Sequence, residues 1–368
     1  MHQDGQFDRF AKSHDAVFDQ VHGTSAFFPF HRRFVLEFEN IGRQIDPDFV
    51  VPYWDSTRDY RRPADSPILR GGTLGGNGQG PDACVSDGIQ GGWVVSFPNR
   101  HCLQRSFNQG NSIMPWIPAE VISSFVQGDD DLAGFREHIE FSIHGAVHLG
   151  LGGDASTPFA PNDFFFYMHH ANIDRLWWLW QNGQNTPFKY NGPGAFGEAR
   201  LDDPIPQDHT VELGHGSVKS VMVLGYNDIC YSYDSAPAPP NDYPGGSNTK
   251  SANTTFAELP IFSGSSVAAG NPLELARIRK ALNEQHMLRD YFPRSALLGP
   301  PTREEIAEPS DVSRCECLKK KARILYPARM SESWIRMHGF NAERVEQLYQ
   351  EACRLIDLLN NGTYISPY

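Results

Sequence analysis

The chain has 368 residues, 40% of them hydrophobic and 21% charged, with a formal net charge of −12 and a pI near 5.6. This composition reads as folded rather than disordered and is long enough for one large core or two domains. The acidic balance argues against nucleic acid as a partner, which needs a basic footprint, and no apolar run approaches the roughly 18–20 residues of a membrane span.

Residues 7–20 place Phe7, Phe10, His14 and Phe18 at helical spacing, which turns His14 to the interior. His22 follows in a Gly-Thr-Ser turn, and Pro29 precedes a second amphipathic helix predicted over residues 30–43, with His31 near its start. Residues 56–118 are rich in Gly, Pro and Asn and are predicted to form a long wrapped loop pinned by Cys84 and Cys102. The run Asp129-Asp130-Asp131 supplies favourable charge for a helix start. That helix is predicted to continue to residue 149, with His144 and His148 at i and i+4 on one face. Asn162 or Asp163 caps the next helix, which carries His170, Asp174 and the tryptophans at 177, 178 and 180.

Residues 1–233 therefore read as a core, 234–252 as a Pro/Gly/Ser-rich linker, and 253–368 as a helical C-terminal extension. The last helix, capped by Asn341, carries Val345, Leu348, Tyr349, Ala352, Ile356 and Leu359 on one stripe. That stripe needs a partner. Intramolecular docking on the core is expected, away from any site, because no tail residue stands out as a plug.

The chemistry lies in two histidine clusters: His14, His22 and His31, then His144, His148 and His170. Neither has a ligand-spaced cysteine or carboxylate. Imidazole suits copper, zinc, iron and nickel, so ligand type alone leaves the metal open. Two sets of three imply two metals, each with a free position, and free positions mean catalysis or gas binding. His2 is the alternative to His14 but lacks its helical context. His138 points off the face of His144. His101, His209, His215, His286 and His338 follow no ligand pattern and read as surface or packing residues.

The surrounding residues narrow the choice. His22 stands nine positions before the histidine of Phe30-His31-Arg32, and Asp163, Phe166, His170 and Asp174 form Asp-x-x-Phe-x-x-x-His-x-x-x-Asp. Over roughly residues 7–233 the chain resembles the type-3 copper proteins of the tyrosinase, catechol oxidase and molluscan haemocyanin superfamily, with a fungal-type cast. The resemblance implies a mainly α fold, a helical bundle enclosing a dinuclear copper centre, with long loops and a helical C-terminal extension. It implies two copper ions on the six histidines, His169 held back from the metal, dioxygen as co-substrate and small phenolic substrates. Tyr231-Ser232-Tyr233 resembles the motif that closes the family's core.

By the same resemblance Phe166 is an aromatic gate over the second copper. Glu140 is the carboxylate that holds a water near the substrate in tyrosinases, together with an asparagine after the first histidine of the second site. Here Gly145 occupies that asparagine's position, and Leu149 follows the second histidine. A glycine offers no oxygen to help activate a water. The expected activity is thus oxidation of o-diphenols or o-aminophenols, with weak monophenol hydroxylation. The rival readings are a haemocyanin-like oxygen carrier with a covered pocket, and a latent precursor whose tail blocks the site.

Gln20 stands where some relatives carry a cysteine bound to the second ligand, so no thioether forms. Phe164 replaces the usual proline of the second motif. Cys315-Glu316-Cys317 resembles a copper-loading tail motif with altered spacing, and six cysteines allow three disulfides. The short lead before His14 suggests a missing N-terminal segment, with which a secretion signal would have gone. The sequons at Asn253 and Asn361 fit a secreted glycoprotein.

Overall fold

Helix α1 (Gln6–Ala16) buries Phe7, Phe10 and His14, as the spacing predicts, but breaks at Val17 before the short α2 (Phe18–Val21). The computed structural model describes residues 1–184, 187–214, 216–225, 229–233, 323–361 and 366. The linker, the first part of the extension, His215, His286, Asn253, Cys315 and Cys317 lie outside the described residues.

Helix α3 (Phe27–Ile45) starts three residues earlier than the sequence suggested. Pro29 falls in its first turn, where no N–H is needed and the fixed φ is already helical. Its main partner is α7 (Phe165–Gln184), and Phe38 stacks on Tyr167 with ring centres 3.5 Å apart. Further along, Phe28 stacks on Trp177, also on Phe135, and Phe135 in turn on Trp180. The tryptophan cluster of α7 is thus the core of the bundle.

Helix α4 (Ala119–Gly128) is buried along nearly its whole length. Asp131 caps α5 (Leu132–Ile139) by accepting the Gly134 N–H at 2.8 Å. The single helix expected to residue 149 is interrupted. A π-helical turn over Glu140–His144 separates α5 from α6 (Gly145–Leu151). Such turns insert an extra residue and cluster at functional sites. His144 ends the turn, His148 lies in α6, and the two keep their shared face.

Residues 56–118 form the expected wrapped loop, with one short hairpin, β1 (Val94–Val95) against β2 (His101–Cys102), and a Cys84–Cys102 disulfide. Another hairpin pairs β3 (Pro193–Gly194) with β4 (Gly197–Glu198). The loop is tied to the bundle by Arg105. Its guanidinium grips Asp163 with two bonds, 2.6 and 2.8 Å, with both side chains fully buried. Asp163 also accepts the Phe165 N–H at 3.1 Å, so it caps α7 while Asn162 reaches Phe97 instead.

A second buried pair joins α3 to α7. Arg32 Nε lies 2.5 Å from Asp174, the guanidinium covers the Trp177 ring at 3.7 Å, and it donates to the Val221 and Met222 carbonyls. Tyr231 and Tyr233 each donate to the other Asp174 oxygen at 2.6 Å, which closes the core as the motif implied.

The described tail holds α8 (Glu332–Met337) and α9 (Ala342–Asn361), with Asn341 accepting the Arg344 N–H at 2.9 Å. From α9, Ala352, Leu355, Ile356 and Leu359 join the main core. Trp334, Phe340 and Val345 form a smaller cluster with Phe141, Leu149 and Met330. Among the described residues, no helix is long and apolar enough to cross a membrane.

Removing one member of a buried ion pair leaves the other charge without its counterion. Asp163→Ala should therefore lower unfolding free energy by about 3–5 kcal/mol, read by urea denaturation. A loss below about 1 kcal/mol would mean that the Arg105 contacts to Gly75 and Gln90 suffice.

Candidate metal centre

Helices α1 and α3 bring His14 and His31 inward, and His22 enters from the end of α2. The ligating nitrogens of the three lie within 4.8 Å of one another, and all three rings are buried. The π turn and α6 bring His144 and His148 opposite, with rings 4.6 Å apart.

Each ring of the first group is oriented by a backbone carbonyl. Nδ1–H donates to Pro158 from His14 at 2.5 Å, to Phe18 from His22 at 3.0 Å, and to Phe27 from His31 at 2.7 Å. His148 donates likewise to Ala155 at 2.6 Å. These bonds fix the proton on Nδ1 and leave Nε2 as a bare lone pair. The Nε2 atoms of His14 and His31 stand only 3.3 Å apart.

Burial holds every ring neutral. It lowers His14 to about 3 and His148 to about 4, and takes His22, His31, His144 and His170 well below the usual histidine range. Two neutral acceptors 3.3 Å apart repel, and a proton between them is disfavoured by the same burial. A metal cation resolves the conflict. On the other side, both nitrogens of His144 and of His170, and Nε2 of His148, are buried without a protein partner. The donor set fits two metals with imidazole ligands.

Both members of His169-His170 reach the centre. The nitrogens that lie within 4.8 Å of one another in the second group belong to His144, His148 and His169. His170 sits between the two groups, stacked on His31 at 4.1 Å and 5.1 and 5.6 Å from His144 and His148 by ring centres. Spacing alone did not show that both neighbours on α7 would face inward.

Residues 4–183 match the family model described as the common central domain of tyrosinase. The tyrosinase of Streptomyces antibioticus is 35% identical over 202 residues, covering 48% of this chain and 73% of that protein. The tyrosinase of Streptomyces lincolnensis is 34% identical, covering 53% of this chain and 75% of that one. The chain belongs to the tyrosinase family. Tyrosinase ustQ of Aspergillus flavus is also similar, 32% identical over 62% of this chain and 69% of that protein. A polyphenol oxidase variant from Thermothelomyces thermophila superposes with a TM-score of 0.47 at 21% identity, over 62% of this chain and 77% of that one. As a tyrosinase-family member the chain is a copper oxidoreductase of phenols, and the two histidine groups are where it would hold its copper pair.

The other predicted residues fall as follows. Phe166 is fully buried, with its ring 4.2 Å from His170 and 5.1 Å from His14. Glu140 is enclosed: Oε1 accepts the Gly23 N–H at 2.8 Å and Oε2 takes Arg136 at 2.6 Å. Burial pushes its carboxyl up to about 7 against those partners. His138 belongs to neither histidine group and pairs with Asp129 and Glu351.

Two features escaped the sequence reading. Phe27 lies between the groups, with its ring 4.9 Å from both His31 and His144. The tail, expected to dock away from the site, lies on it. Trp334 stands 5.4 Å from His148, and His338 lies 5.0 Å from His22 and is buried rather than superficial. A Cβ at Gly145 would come within 2.5 Å of Met330 Cε and 3.1 Å of Trp334 Nε1. Gly145 and Leu149 thus meet the tail. The residues responsible sit on the short α8, not on the apolar stripe of α9, so periodicity could not single them out. The one available signal was the i, i+4 pair Trp334 and His338.

His31→Ala and His148→Ala should each reduce copper from two per chain to about one, while His138→Ala keeps both. His170→Ala should lose copper and His169→Ala retain it, by metal analysis of purified protein. The reverse result would transfer the ligand role to His169.

Proposed function

We propose that the chain oxidises o-diphenols or o-aminophenols to o-quinones or quinone imines, and that it hydroxylates monophenols weakly. The observation that carries this reading is the state of Glu140 beside Gly145. Both carboxylate oxygens are held, by Arg136 and by the Gly23 N–H, and position 145 has no side chain to help retain a water. A monophenol must lose its proton and gain an oxygen. An o-diphenol gives up two electrons and two protons with no oxygen to insert, so its oxidation does not call for a water held and activated beside the ring.

The bound copper pair would supply electron transfer between phenol and dioxygen. Two diphenols each release two electrons and two protons, and one dioxygen takes up all four of each to become two waters. The chain's own residues would hold the metals and exclude water. Backbone carbonyls fix the imidazole orientations, and Phe27 and Phe166 fill the space between the groups.

In the described chain, α8 occupies the approach along Gly145 and His148, so substrate entry requires the tail to move. This supports a latent enzyme. The same covered site is what an oxygen carrier would show, and turnover separates the two. We further infer that the chain is exported, since Cys84 and Cys102 are paired and exposed Asn361 begins a sequon. A mass shift on glycosidase treatment of the secreted product would check this.

Trp334→Ala should raise oxygen uptake with catechol and 2-aminophenol, with tyrosine remaining much slower. Tyrosine turnover as fast as catechol would defeat the argument from Glu140 and Gly145. Reversible oxygen binding without catechol turnover in the variant would establish the carrier instead.

A further inference from the structure

The oriented imidazoles differ in where their carbonyls come from. His22 and His31 donate to Phe18 and Phe27, each four residues back in the same stretch of chain. His14 and His148 donate instead to Pro158 and Ala155, which follow α6. These two rings belong to different histidine groups. One short segment, residues 154–158, thus turns a carbonyl to a ring of each group and commits the proton of each to Nδ1.

That segment has its own clamp. Gly153–Ser156 form a 3₁₀ turn, and Asp154 within it is only 1% exposed. Its Oδ2 accepts the Gln104 N–H at 2.8 Å, and its Oδ1 lies 2.9 Å from His101 Nε2. The Asp154 N–H donates to the Gln104 carbonyl at 3.1 Å. The Asp154 carbonyl accepts both the N–H and the hydroxyl of Thr157, the residue before Pro158. On the other side of the His101 ring, Nδ1 stands 2.6 Å from the Asn99 carbonyl. With an acceptor at each nitrogen, the ring keeps both bonds only as the imidazolium. A Cβ at Gly152 or Gly153 would meet the Ser106 or Gln104 carbonyl oxygen at 2.0 or 2.3 Å, so the loop backbone seats directly on the turn. A buried carboxylate is costly unless it is bonded, and the bonds of this one all join the loop to the turn.

We propose that Asp154, clamped by His101 and Gln104, is a positioning residue for both metals at once, because it fixes the turn whose Ala155 and Pro158 carbonyls aim His148 and His14. The proposal rests on the copper-site reading above. The loop over residues 56–118 then does more than cover the bundle. Through Asp154 it orients one ligand of each group, so loosening the clamp weakens the hold on the two metals together.

The test uses the full chain with isotope-labelled histidine, before and after loading with Cu(I), and the variants Asp154→Ala, Asp154→Asn and His101→Phe. Asparagine can still accept the Gln104 N–H but has lost the charge. Phenylalanine removes both His101 donors and serves if neither Asp154 variant folds. Solvent exchange of the ring Nδ1–H protons is followed by NMR, with His22 and His31 as internal controls. In the variants the His14 and His148 protons should exchange about tenfold faster or more, while those of His22 and His31 keep their rates. Both coppers should pass to a Cu(I) chelator about tenfold faster or more. Unchanged exchange at His14 and His148, or equal acceleration at all four rings, would overturn the proposal and leave Asp154 as a general staple of the fold. Fewer than two coppers in the parent chain would instead count against the copper-site reading itself, so the two failures are distinguishable.

Discussion

Burying at least six imidazoles with their lone pairs turned toward one another is the constraint on which this structure depends. Each carbonyl that orients a ring also commits its proton, so His14, His22, His31 and His148 turn only acceptors inward. Protonation cannot relieve this, because the surrounding apolar core makes a charged ring too costly. Only a cation with several vacant positions does, and the fold is organised to bring that requirement together from four separate stretches of chain.

The organisation relies on two buried arginine–carboxylate pairs. Arg32 with Asp174 locks α3 to α7, and two tyrosines and the Trp177 face complete its surroundings. Arg105 with Asp163 anchors a long, irregular loop to the first turn of α7. Such pairs contribute little net stability once desolvation is counted, but their geometry admits few alternatives. They fix the angle of α7, and with it the positions of His169 and His170.

Much of the site was legible because ligand chemistry demands particular residues at particular spacings. His14 faced inward from the Phe7, Phe10 periodicity, and the i, i+4 relation of His144 and His148 survived the π turn. The wrapped loop was legible from its glycines and prolines, and its cysteine pair formed. What stayed hidden depends on contacts between distant segments. The π turn has no composition of its own. The inward turn of His169 follows from how α7 is seated, not from its neighbours in sequence. The docking of Met330, Trp334 and His338 on Gly145 and His22 is a meeting of residues nearly 200 and more than 300 positions apart in the chain, and neither partner announces it.

The tail has two kinds of hold on the core, and they respond differently to a cut. While the chain is continuous, α8 and α9 are presented to the core at a high effective concentration set by the connecting segment. A break between the described core and the described tail would leave the contacts of Leu355, Ile356, Leu359 and Trp334 with the core described above in place but remove that advantage. Rebinding would then become bimolecular. In a concentrated store the severed tail would stay seated, and dispersal into a larger volume would be what finally lifts it from the two histidine groups.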